Sequence, residues 1–143
     1  MDQKASLRIV LGMITASMVF YSVIGLWIVS GRSGRAAFEV PALVTIFLGV
    51  VALAGASAIA QVAAVPHNSP QRFRSLAFVA AAVLDGAALA GVVITILSWQ
   101  IWPTVLLTLV GVLGVAAFVL PATNAWFRAR EGAADVRTPH EPS

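Results

Sequence analysis

Residues 75–97 read SLAFVAAAVLDGAALAGVVITIL, an apolar run of 23 residues carrying one carboxylate, Asp85. A bilayer core of ~30 Å takes about 20 helical residues at ~1.5 Å each, so this run is long enough to cross it. Within hydrocarbon only a helix or a closed barrel satisfies its own backbone hydrogen bonds, and an unalternating run of this length reads as a helix. Working outward, three more runs of similar length stand at residues 9–29, 41–65 and 102–126. The chain therefore reads as an all-α polytopic membrane protein, a bundle of four transmembrane helices in one domain over residues 1–127.

Composition points the same way. Of 143 residues, 59% are apolar and 10% charged, and the mean hydropathy is +0.92. Nine Lys and Arg with six Asp and Glu are too few to clothe a water-soluble core of this size. The net charge of +3 comes without a basic face interleaved with aromatics, so nucleic acid is not an expected partner. The absence of cysteine excludes disulfides, thiolate metal sites and a cysteine nucleophile.

Boundary residues suit the four spans. Pro41 and Pro103 open the second and fourth helices, where a missing N–H costs nothing, and Glu39 complements the positive end of the second helix dipole. Ser75 is the expected N-cap of the third helix. Trp27, Trp99, Trp102 and Trp126 fall at predicted helix ends, the place of an aromatic belt. Pro121 is expected to kink the fourth helix or end it early. The first run, although preceded by Lys4 and Arg8, is too long for the apolar region of a secretory signal and is read as a retained helix. Residues 128–143, with Gly132, Pro139, Pro142 and scattered charge, read as a disordered tail.

Counting basic residues gives the orientation. Lys4, Arg8, Arg72, Arg74, Arg128, Arg130 and Arg137 lie on one side, against Arg32 and Arg35 on the other. The positive-inside rule then places both termini in the cytoplasm of a multi-pass protein, with the plasma membrane as the expected location.

Small residues recur at helical spacing in the middle two spans. Ala52, Ala56, Ala60 and Ala64 form one row, Ala82, Gly86 and Ala90 a second, and Ala87, Gly91 and Thr95 a third. Such rows let helix backbones approach closely, within one chain or between chains. A homo-oligomer or a larger membrane complex is the corresponding partner class.

Asp85 is the one formal charge inside a span. Ten residues from Ser75 put it ~15 Å deep, near the midplane. An ionised aspartate there costs ~2.5–3.5 kcal/mol or more, which makes the residue a candidate ion-binding site. Counting inward along the other helices brings Ser57 nearest, with Ser17 and Tyr21 on one face of the first helix. No basic residue lies at that depth. The bland role for Asp85 is a neutral carboxylic acid donating to Ser57 or to a backbone carbonyl and so locking the helices together.

The stretch from Arg74-Ser75-Leu76-Ala77-Phe78 through Val83-Leu84-Asp85-Gly86 resembles the carboxylate helix of the proteolipid subunit c of rotary proton-translocating ATP synthases. The small-residue helix Ala52 to Ala64 and the loop Pro66 to Arg74 are similar in kind to that family's hairpin, so the resemblance covers residues 52–97. It implies that Asp85 is the ion-binding carboxylate. This chain adds a helix on each side and has alanine where that family has alternating glycines.

Other chemistry is sparse. His67 and His140 have no second ligand at metal spacing, and no phosphate loop, nucleophile elbow or carboxylate pair occurs. Gln61, near the cytoplasmic end of the second helix, is expected to cap or bridge helices. Neither a cofactor nor enzymatic activity is expected. Two functions remain: a structural or accessory subunit that packs through its small-residue faces, or a proton- or cation-coupled transport component that uses Asp85.

Overall fold

A computed structural model describes residues 3–31 and 39–135. It contains α1 (Gln3–Ser30), α2 (Ala42–Ala63), α3 (Pro70–Ser98), α4 (Trp102–Gly114) and α5 (Leu120–Asp135), the last two joined through a π-helical turn, Val115–Val119, into one rod. No strand occurs among the described residues. Four helices are long and apolar enough to cross a membrane, the α4–α5 rod counting as one.

Helix ends differ from the sequence reading in several places, beginning with α1, which starts at Gln3, six residues before the expected span. The third helix begins at Pro70, not Ser75, because Ser69 caps it: the Ser69 hydroxyl accepts from the Arg72 backbone N–H at 3.2 Å, and Pro70 supplies the first-turn φ without needing a donor. Pro121 neither ends the fourth helix nor stops its packing. The Leu120 N–H reaches back five residues to the Val115 carbonyl, and this wider turn lies where the Pro121 ring meets the preceding turn. The rod then continues to Asp135, so the first eight residues of the expected disordered tail are helical. Residues 136–143, with Arg137 and His140, and residues 32–38, with Arg32 and Arg35, lie outside the described residues.

Helix α3 is the centre. It packs against α1, α2 and α4, and α4 in turn touches α1 and α2. Its buried positions are Phe73, Ala77, Ala80, Ala81, Leu84, Ala88, Gly91, Thr95 and Ser98, mostly side chains that end at Cβ. The α2 row Ala52, Ala56 and Ala60 is buried within the chain, continued by Ala63. The closest approach of one backbone to another is at Gly91, where an added Cβ would come 2.8 Å from the Pro103 carbonyl oxygen and 3.0 Å from Leu107 Cβ.

Each end of the α3–α4 pair is fastened differently. At one end α3 closes on Trp99, which takes a left-handed conformation (φ 56°) and donates its N–H to the Thr95 carbonyl at 2.8 Å. Across this short turn the Thr95 and Thr104 hydroxyls are 2.7 Å apart, the Thr104 N–H donates to Thr95 Oγ1 at 3.1 Å, and the Thr104 hydroxyl donates to the Gly91 carbonyl at 3.1 Å. At the other end Trp126 stacks on Phe73, with ring centroids 4.4 Å apart and planes within 4°. Phe127 meets Trp126 edge-on at 5.1 Å and the Arg130 guanidinium lies 4.8 Å from its centroid. Trp126 is thus buried in the bundle rather than held in an aromatic belt, because the rod runs past it and turns it inward. Trp27, 76% exposed, does face outward.

Two substitutions test this packing. Gly91→Ala forces α3 and α4 apart and is expected to cost about 1–3 kcal/mol, as overpacking does. Trp126→Ala removes the stack and is expected to cost about 3–5 kcal/mol. Both are read by reversible unfolding in mixed micelles, with Gly86→Ala, whose added Cβ meets no atom within 4 Å, expected to match the parent.

Candidate functional site

Asp85 stands fifteen residues from the start of α3 (85 − 70) and thirteen from its end (98 − 85). Mid-helix placement survives the corrected N-terminus. Helices α1 and α3 run side by side in the same direction with a constant offset: Gly25 meets Val92, Val10 and Phe78 line one hollow, and Ser17 faces Asp85. The offsets are 67, 68 and 68 residues. The neighbour of Asp85 is therefore set by register as well as by depth.

Of the three hydroxyls expected near Asp85, the structure brings one. Ser17 lies beside the carboxyl, but its hydroxyl donates to the Ile14 carbonyl at 2.7 Å. Ser57 is turned elsewhere: it accepts from Gln61 Nε2 at 3.4 Å and lines a groove against Ala117, Phe118 and Pro121. Gln61 therefore bonds within α2 rather than bridging helices. Tyr21 tilts against Phe20 on its own helix, with centroids 6.5 Å apart. The expected Asp85–Ser57 bond does not form, because Ser57 looks from α2 towards the rod whereas Asp85 looks from α3 towards α1. Asp85 Oδ1 is enclosed without a hydrogen-bond partner.

The three rows of small residues separate into an inner and an outer set. Ala52, Ala56, Ala60 and Gly91 are buried, whereas Ala82 and Gly86 are exposed on α3 and Ala90 is half-buried. Gly86 has open space where a side chain would begin. One residue from Asp85, α3 thus presents a shallow outer strip, flanked by exposed Val79, Leu89 and Val93.

Polar pairs that spacing did not suggest tie the helices elsewhere. Ser22 of α1 and Thr108 of α4 share a short hydroxyl–hydroxyl bond, and Ser22 also donates to the Met18 carbonyl. Thr95 and Thr104 could have been paired from sequence, since they stand symmetrically about a short turn. No comparable signal marks Ser22 and Thr108. His67 is exposed in the α2–α3 loop, and no group of three potential metal ligands occurs among the described residues.

Compared with family models, curated proteins and solved structures, the chain matches none.

Cysteine pairs read this register directly, since the chain has no cysteine of its own. Ser17→Cys with Asp85→Cys is expected to form an intramolecular disulfide on mild oxidation, detected as a linked peptide by mass spectrometry. Ser57→Cys with Asp85→Cys is expected to stay reduced.

Proposed function

We propose that this chain is a small integral membrane protein whose four helices cross the bilayer, acting as a structural or accessory subunit that packs through small-residue faces. Support for the membrane setting comes from the inverted distribution of side chains. Leu43, Phe47, Met13, Phe20 and Trp27 cover the outside, while Ser22, Thr45, Thr95, Ser98, Thr104 and Thr123 are inside. Water would penalise that surface heavily, and lipid would not. Seven basic residues against two support an orientation with both termini on the cytoplasmic side, and the proposed location is the plasma membrane.

The observation that carries the accessory role is the division of the small-residue rows. The inner rows are used up in packing this chain against itself, whereas Ala82 and Gly86 remain open on the outer side of α3. A transmembrane helix of a second copy or of a larger complex can approach there to backbone distance, the arrangement by which helices associate where lipid removes the hydrophobic drive.

A second reading, proton- or cation-coupled transport, is favoured by one feature, the enclosed and unpartnered Asp85 Oδ1. Against it, the interior hydroxyls of Ser22, Ser98 and Thr104 already donate to the backbone carbonyls of Met18, Ile94 and Gly91. They act as fixed pins, not as a chain of exchangeable groups.

The two readings part on substitution at Asp85 and Gly86. The accessory role expects Asp85→Asn to leave assembly in native membranes unchanged and Gly86→Leu to abolish it while leaving micellar stability within about 0.5 kcal/mol of the parent. The transport role expects Asp85→Asn to be as damaging as Asp85→Leu to proton uptake by proteoliposomes, with assembly intact. Blue-native electrophoresis and a pH-sensitive dye in the vesicle lumen read the two outcomes.

A further inference from the structure

A hollow of about 660 Å³ lies between α1 and the α4–α5 rod, lined by Leu11, Gly12, Ala16, Val19, Val115 and Leu120, with Arg8 and Asn124 at its mouth. Its length is telling. From Arg8 to Val19 is eleven residues, or ~16 Å of helix, about half the ~30 Å hydrocarbon core and so the depth of one leaflet. Gly12 keeps the hollow open, since an added Cβ there meets nothing within 4 Å.

Charge is concentrated at one end. Arg8 Nη2 donates to Asn124 Oδ1 at 2.6 Å, and Arg128 Nε donates to the Asn124 backbone carbonyl at 3.4 Å, so two guanidinium groups converge on one residue of the rod. Arg8 spends one of its five N–H donors on Asn124, and its remaining donors have no partner among the described residues. Glu131, three residues beyond Arg128, pairs with Lys4 at 3.5 Å, and among the described residues no carboxylate pairs with Arg8 or Arg128. A planar guanidinium bonded to Asn124 at the mouth of an apolar slot suits a phosphate attached to hydrocarbon, because the fork binds two oxygens while the slot takes the chain.

We infer that this hollow is a binding site for an anionic phospholipid, its acyl chain lying along Gly12 and Ala16 and its phosphate on Arg8 and Arg128. The inference rests on the membrane setting proposed above and goes beyond the accessory role. Surface charge alone attracts anionic lipid weakly and without a fixed place. A chain seated in a slot beneath a tethered arginine is retained when bulk lipid is removed.

The test is native mass spectrometry of the full chain, released from micelles supplied with palmitoyl-oleoyl phosphatidylglycerol or the matching phosphatidylcholine. One phosphatidylglycerol is expected to stay bound and phosphatidylcholine to leave. Arg8→Gln is expected to lower retention about tenfold, as loss of a charge-assisted hydrogen bond does, and Gly12→Leu, which fills the slot, to remove it. Arg72→Gln, exposed on α3 away from the hollow, is expected to retain lipid like the parent. Equal retention of the two lipids, an equal loss in Arg72→Gln and Arg8→Gln, or an unaffected Gly12→Leu would each overturn the site. Binding of chain-free glycerophosphate as tight as that of the lipid would overturn it as well. A chain that alkaline carbonate releases from membranes overturns the membrane setting and the lipid site together, whereas a retained chain without lipid preference overturns the site alone.

Discussion

Helix α3 can be touched on three sides at once only because its buried positions carry almost nothing beyond Cβ. Ala77, Ala80, Ala81, Ala88 and Gly91 give α1, α2 and α4 room to lie against one rod. Association at that range rests on dispersion between backbones and short side chains, each contact small and the sum large. The polar atoms inside are few, and most bond to carbonyls of their own or the adjoining helix. The interior is consequently closely set, and many of the larger apolar side chains lie on the outside.

Larger groups enter opposite glycines, as Met18 at Gly111 and Leu84 at Gly114, and aromatic rings enter at one end. The Phe73–Trp126 stack closes one end, and the Thr95–Thr104 pair with the left-handed Trp99 closes the other. A bulky residue at positive φ is costly to hold, and the α3 C-terminus spends that strain on a turn short enough to keep Thr104 opposite Gly91 and Thr95. Between the two ends the Ser22–Thr108 pair ties α1 to α4, and Asp85 Oδ1 takes no part in any such bond among the described residues.

Hydropathy made the existence and extent of four helices legible, since length and apolarity are properties of the chain alone. Boundaries were less so. Ser69 and Ser75 are equally good caps in isolation, and the choice fell to Ser69 because Pro70 follows it. The depth of Asp85 was legible by counting, and so was Ser17 as a neighbour. Ser57 was not excluded by depth, because depth says nothing of azimuth: residues at one level on different helices meet only if both point to the same seam. The same limit hid which small-residue row of α3 faces inward, as Ala82 and Gly86 are chemically like Ala81 and Ala88 and lie on the opposite side. Trp126 was misread for a further reason, the wider turn upstream of it.

That turn has a consequence for how the rod is indexed. An α-helix advances about 100° per residue, so the one additional residue admitted between Val115 and Val119 rotates everything downstream by that angle relative to an unbroken helix. Thr123, Trp126 and Phe127 face the bundle on the new phase. The rod is thus two helices with separate angular origins: the half that packs on Gly91 through Pro103 and Leu107 and the half that carries Trp126 each meet the bundle on their own phase, without a break in the chain.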